Sequence, residues 1–106
     1  MAGYLLFNYK ITDRSKIEEL TELSLPVNKK YNADVIVGSP VKTVEGEALS
    51  HVVILKFQSF EAAQTYYHSP ENKDLTVLRN QITEGWAAIF PGDSETQAVV
   101  DSGYFT

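Results

Sequence analysis

The sequence predicts an α+β fold in which helices cover one face of a four-stranded antiparallel sheet. Three observations point there: apolar alternation at the start of the chain, two stretches with apolar residues at helical spacing, and β-rich runs between and after them. From Tyr4 to Ile11, Leu5, Phe7, Tyr9 and Ile11 fall on one side and Tyr4, Leu6, Asn8 and Lys10 on the other. This is the period-two pattern of a strand, and the first set faces the core. Thr12-Asp13 breaks the alternation, and Ser15 with Glu18 three residues on has the form of a capping box. Ile17, Leu20, Leu23, Val27 and Tyr31 continue as the stripe of a helix. Pro26 lies inside that stripe and has no N–H for the Glu22 carbonyl, so a kink or a division into two short helices is expected.

Asn32 is suited to ending this helix. Val35, Ile36, Val37, Val41 and Val44 form a β-rich stretch that Gly38-Ser39-Pro40 should bulge or bend. After the turn signal Glu45-Gly46-Glu47, His51 to Phe57 is the strongest strand, and the two should pair as an antiparallel hairpin. Ser59 has the chemistry of an N-cap for a helix carrying Phe60, Ala63 and Tyr67, with Glu61 in its first turn. Ser69-Pro70-Glu71 starts another, with Leu75, Leu78 and Ile82 as its stripe and Gly85 to close it. Trp86 to Phe90 reads as the last strand, stopped by Pro91-Gly92.

Strand, helix, strand, strand, helix pair, strand is the order of the ferredoxin-like β-α-β-β-α-β sandwich, whose helices cover one sheet face. The other face receives Tyr4, Leu6, Asn8, Val52, Ile54 and Lys56, with an alternate set from the last strand. An apolar face of that size calls for a cover, and a second copy related by a two-fold axis is the commonest one. Residues 1–92 form the domain, and 93–106 form a tail in which Ala98-Val99-Val100 and Gly103-Tyr104-Phe105 follow a polar start. The tail has two readings, a frayed end or an arm docked on the partner subunit.

A formal charge of −5 opposes the phosphate field that nucleic-acid binders exploit, so neither nucleic acid nor anionic membrane is an expected partner. The absence of cysteine excludes disulfides, thiolate nucleophiles and Cys-ligated metals. The N-terminus lacks a basic region followed by a long apolar run, so no signal peptide is read and a cytoplasmic protein is expected. No phosphate-binding glycine loop, nucleophile elbow or zinc-protease motif occurs, and no cofactor or metal site is expected.

Among candidate site residues, Lys56 stands out because alternation puts it with Asn8 on the open sheet face. It either reaches water from a barrel mouth or enters a pocket. In a pocket it would hold a carboxylate or enolate, with Asn8 orienting the ligand and Trp86 or Tyr4 as an apolar wall. His51 and His68 are too few for a histidine metal site; His51 is kept as a ligand-binding candidate, although an exposed or hydrogen-bonded side chain explains each. Ser69 reads as a cap, Arg79 as a helix-surface residue, Glu18, Glu19 and Glu22 as a solvated face, and Phe60, Tyr66, Tyr67 and Trp86 as core aromatics.

The apolar strand Val52-Val53-Ile54 followed by Phe57, Ser59, Glu61-Ala62-Ala63, Tyr67, Ser69-Pro70-Glu71 and Arg79 resembles the domain-of-unknown-function family DUF1330, of the dimeric α/β barrel superfamily. The likeness runs from Tyr4 to about Phe90 and includes Thr12-Asp13, Pro26 and Tyr31. Lys56, Asn32, Ala33 and Asn72 depart from the family pattern. The resemblance implies two subunits whose sheets close into a barrel, with a cavity between sheet and helices or at the interface, and it implies no particular reaction. Three functions follow: a module that binds a small apolar or weakly acidic metabolite, a cofactor-independent enzyme of oxygenase, isomerase or cyclase type, or a structural homodimer without ligand.

Overall fold

A computed structural model describes residues 2–92; the tail and its two readings lie outside them. Strand β1 (Gly3–Ile11) lies inside the sheet between β3 (His51–Phe57) and β4 (Thr83–Pro91), and β2 (Asp34–Pro40) flanks β3 on the outer side. The order is β2-β3-β1-β4 with antiparallel neighbours throughout, as the ferredoxin-like sandwich requires. Leu5 stands opposite Leu55 and Ile89, and Phe7 opposite Val53 and Ala87. The alternation in β1 therefore puts Leu5, Phe7, Leu55 and Phe57 on the helix side, where they form the core with Ala63 and Tyr66. Each such large apolar side chain contributes roughly 1.5–3 kcal/mol on burial.

Helix α2 (Phe60–Tyr67) begins where the Ser59 hydroxyl accepts from the Ala62 N–H at 3.0 Å. Helix α3 (Pro70–Ile82) begins in the same way at Ser69, with Pro70 in the first turn. The approach of α2 to β1 depends on Gly3: a Cβ there would meet the Ser59 carbonyl and come within 2.7 Å of the Phe60 Cα. Helix α1 (Ile17–Lys30) has Tyr31 as its C-cap and is stopped by Asn32, whose φ of 54° reverses the chain. The Ala33 N–H reaches the Asn28 carbonyl at 2.8 Å and the Asn32 N–H the Lys29 carbonyl at 3.3 Å, the paired bonds of a Schellman motif.

Four local expectations are corrected. The first helical turn is a 3-10 turn over Arg14–Lys16 capped by Asp13, which accepts from the Ser15 N–H and hydroxyl, so Ser15 and Glu18 form no capping box. Helix α1 runs through Pro26 as one helix and not as two short ones, even though the bond to Glu22 is lost, and Val27 and Tyr31 beyond it pack against the core. The irregularity in β2 falls between Val35 and Val37, and the strand ends at Pro40, leaving Val44 exposed. Gly85 does not close α3; the helix stops at Ile82 and Gly85 sits within β4 opposite Tyr9. The Ile82 carbonyl instead receives the N–H groups of Thr12 and Asp13, which ties the end of α3 to the end of β1. None of the helices among the described residues is long and apolar enough to cross a membrane.

Candidate functional site: a cleft between the sheet and its helices

Helix α2 seals the core over Leu5, Leu55 and Phe57, whereas α1 contributes no fully buried residue. Beneath its N-terminal half the sheet presents Thr83, Gly85 and Ala87 of β4, side chains too small to reach the helix. A cavity of about 400 Å³ results. Its floor is Phe7, Tyr9, Val53 and Leu55; Ile17, Leu20, Thr21, Ser24 and Asn28 of α1 form one wall, and Thr76, Arg79 and Asn80 of α3 another. The smallness of Gly85 also brings the strands together, since a Cβ there would collide with the Asn8 carbonyl and lie 2.7 Å from the Tyr9 Cα.

The charged group of this cleft is Arg79, expected on the helix surface and found half-buried instead. Its guanidinium carbon lies 4.3 Å from the centre of the Phe7 ring, a cation–π contact. Its Nη1 donates to the Thr76 hydroxyl at 3.3 Å and its Nη2 to the Asn72 Oδ1 at 3.5 Å, both long bonds. Asn72 is itself buried and donates to the Tyr67 carbonyl at 2.8 Å. Among the described residues no carboxylate forms an ion pair with Arg79. Burial lowers the guanidinium's pKa, and the Tyr66 and Tyr67 hydroxyls partly oppose that. Burial also raises the pKa of Tyr66, which donates to the Asn28 Oδ1 at 2.8 Å, and of Tyr9.

A sequence signal for this arrangement existed. Asn72, Thr76 and Arg79 stand four and three residues apart, a polar stripe along α3 beside the apolar one of Leu75, Leu78 and Ile82. What it lacked was the knowledge that Phe7 lies opposite.

Four of the five sequence candidates, Tyr4, Asn8, Lys56 and Trp86, share the sheet face away from the helices, with Tyr4 opposite Lys56 and Asn8 opposite Trp86 in register, whereas His51 lies on the helix side beside Tyr9. Asn8 is 6% exposed, and its amide donates to the carbonyls of Leu49 and His51 at 3.2 and 2.9 Å while accepting from the Leu49 N–H at 3.0 Å. Those bonds latch the segment before β3 onto β1 and occupy both of the amide's donors. Lys56 is exposed on the sheet face away from the helices, opposite Tyr4 and Asp34 in register. Tyr4 stacks on Phe90 at 5.5 Å. His51 stacks on Tyr9 at 5.7 Å, with its Nδ1 2.9 Å from the Ser50 hydroxyl. Trp86 stands opposite Asn8 on the face away from the helices and is 54% exposed, so it is no core aromatic. His68 is the C-cap residue of α2. Among the described residues no group of three potential ligands is placed to hold a metal ion.

A β2-β3-β1-β4 antiparallel sheet with helices on one face and a cleft beneath them defines a ferredoxin-like α+β domain. Residues 2–93 match the Domain of unknown function (DUF1330) family, and the chain belongs to it. A protein of unknown function from Rhodopseudomonas palustris, RPA0582, superposes with a TM-score of 0.70 at 14% identity, covering 89% of this chain and 84% of that one. SnoaB, a cofactor-independent oxygenase from Streptomyces nogalater, superposes at 0.55 with 7% identity over 90% and 96% of the two chains. A dabb family protein with a ferredoxin-like fold from Mesorhizobium loti gives 0.58 with 8% identity over 88% and 98%. At these identities the likeness concerns the fold. No curated protein matches the chain.

Proposed function

We propose that this protein is a homodimeric binding module that holds a small apolar or weakly acidic metabolite in the cleft between sheet and helices. The observation that carries the reading is the cavity of about 400 Å³, apolar at its floor with a few polar groups in its walls. That combination of size and lining is typical of small-molecule sites. It also weighs against a purely structural dimer, whose interior would be filled.

Dimerisation is supported by the sheet face that no element among the described residues covers, where Tyr4, Leu6, Val52 and Ile54 lie beside Trp86 and Phe90, the last two 54% and 38% exposed. A second copy is the cover that closes both faces at once. Sedimentation of the full chain at micromolar concentration tests this; a lone subunit would reject the dimer. Ile54→Lys should dissociate it by burying unpaired charges across the interface. The tail, residues 93–106, is proposed as an arm on the partner; if truncation after Gly92 leaves dimer dissociation unchanged, the arm is rejected.

A thermal-shift screen of small acids and their neutral analogues tests the cleft, because a ligand at 100 times its Kd stabilises by about 2.7 kcal/mol. A screen without a hit would count against the module. The fold shared with a cofactor-independent oxygenase supports a second reading, catalysis without a bound cofactor. Product formation from a hit separates it from binding alone.

A further inference from the structure

The lining residues of the cleft include Arg79 and no aspartate or glutamate, although the chain as a whole carries a formal charge of −5. A guanidinium has five N–H donors, and two of those on Arg79 find protein acceptors among the described residues, both through long bonds. Its guanidinium carbon lies 4.3 Å from the centre of the Phe7 ring, and Thr76 and Asn72 accept from it along α3, so the group is oriented before any ligand arrives. An isolated charge half out of water is costly, and an incoming anion offsets that cost. One cation above an apolar floor suits one negative charge. A planar carboxylate matches the guanidinium fork and its single charge, whereas a phosphate dianion would keep one charge unneutralised here.

From this geometry we infer that the cleft is a carboxylate site for an apolar monoacid. Arg79 takes the carboxylate through its unoccupied N–H edge, while Phe7, Tyr9, Val53 and Leu55 cover the apolar body. The inference rests on the reading of the cleft as a small-molecule site and specifies what enters it.

The test is an NMR titration of the ¹⁵N-labelled full chain at neutral pH with 2-naphthoate and, separately, with neutral 2-naphthamide. The amide signals of Gly85, Ala87 and Thr76 report the cleft, and the Arg79 Nε–H signal reports the carboxylate. The acid should bind at least about tenfold more tightly than the amide, the margin of a charge-assisted pair, and should move the Nε–H signal. In Arg79→Met the acid should lose its advantage, the two affinities coming within about twofold. Equal affinities in the wild type, an acid preference that survives Arg79→Met, or an Nε–H signal that stays put as the acid saturates would each overturn the carboxylate site while leaving a ligand-binding cleft. If neither probe moves the cleft signals, the small-molecule reading falls with it. The wild-type comparison decides even if Arg79→Met does not fold.

Discussion

Replacing Asn8 by alanine separates a structural latch from a ligand contact. Its amide makes three hydrogen bonds, to the Leu49 carbonyl, the His51 carbonyl and the Leu49 N–H, and is 6% exposed. A neutral hydrogen bond is worth about 1 kcal/mol net, so three give roughly 3 kcal/mol. Leu49 and His51 are half-buried, and water can recover some of their groups, which sets a range of roughly 2–4 kcal/mol. For a domain of this size each kcal/mol shifts Tm by about 4–8 °C, so the variant should melt roughly 8–32 °C lower at matched concentration. Urea unfolding should show a lower midpoint with an unchanged slope, because the same surface is exposed. Asn8→Asp should cost at least as much at neutral pH: it keeps an acceptor for the Leu49 N–H but turns a carboxylate toward two carbonyl oxygens. A loss below about 0.5 kcal/mol would refute the latch. Intact stability combined with lost ligand binding would assign Asn8 to the ligand instead.

Glu71 gives a pH signature. Bonds from Lys30 Nζ at 2.6 Å and the Tyr31 hydroxyl at 2.7 Å pull its carboxyl from 4.5 to about 2. A lowered acid stabilises the fold when ionised, so its contribution is present above about 4.5 and lost as pH falls toward about 2. Glu71→Gln should flatten that part of a stability–pH curve measured by urea unfolding. Gly85→Ala should destabilise by about 1–3 kcal/mol, because the new Cβ meets backbone of β1 that cannot swing aside; calorimetry measures it. Asn32→Gly should be tolerated in the same assay, whereas Asn32→Val should cost roughly 1–2 kcal/mol, its φ of 54° being hostile to a β-branched residue.

What the residues specify by themselves is local. The alternation of Leu5, Phe7 and Tyr9 against Tyr4, Leu6 and Asn8 named the two faces of β1, and the run from His51 to Phe57 matched β3 residue for residue. Ser59 and Ser69 announced the starts of α2 and α3, since a cap requires only the next few residues. The misjudged positions depend on distant partners. Pro26 stays helical, with Val27 and Tyr31 beyond it docked on the core, and Gly85 serves the approach of β4 to β1. Ser15 lost the capping role to Asp13, two residues earlier, in a 3-10 turn that helical spacing does not reveal.

The candidate site divides along the same line. Periodicity could put Lys56 on the open face and Arg79 on a helix, but burial and ring contacts are set by what lies across the gap. Sequence alone determined that two sheet faces are apolar, that helices cover one of them, and in what order the elements come, because each follows from spacing along the chain. Only the tertiary structure decided that α1 stands away from β4 above Gly85 and Ala87, leaving a cavity, and that Arg79 faces Phe7 within it. Those are distances between segments that the chain brings together only by folding.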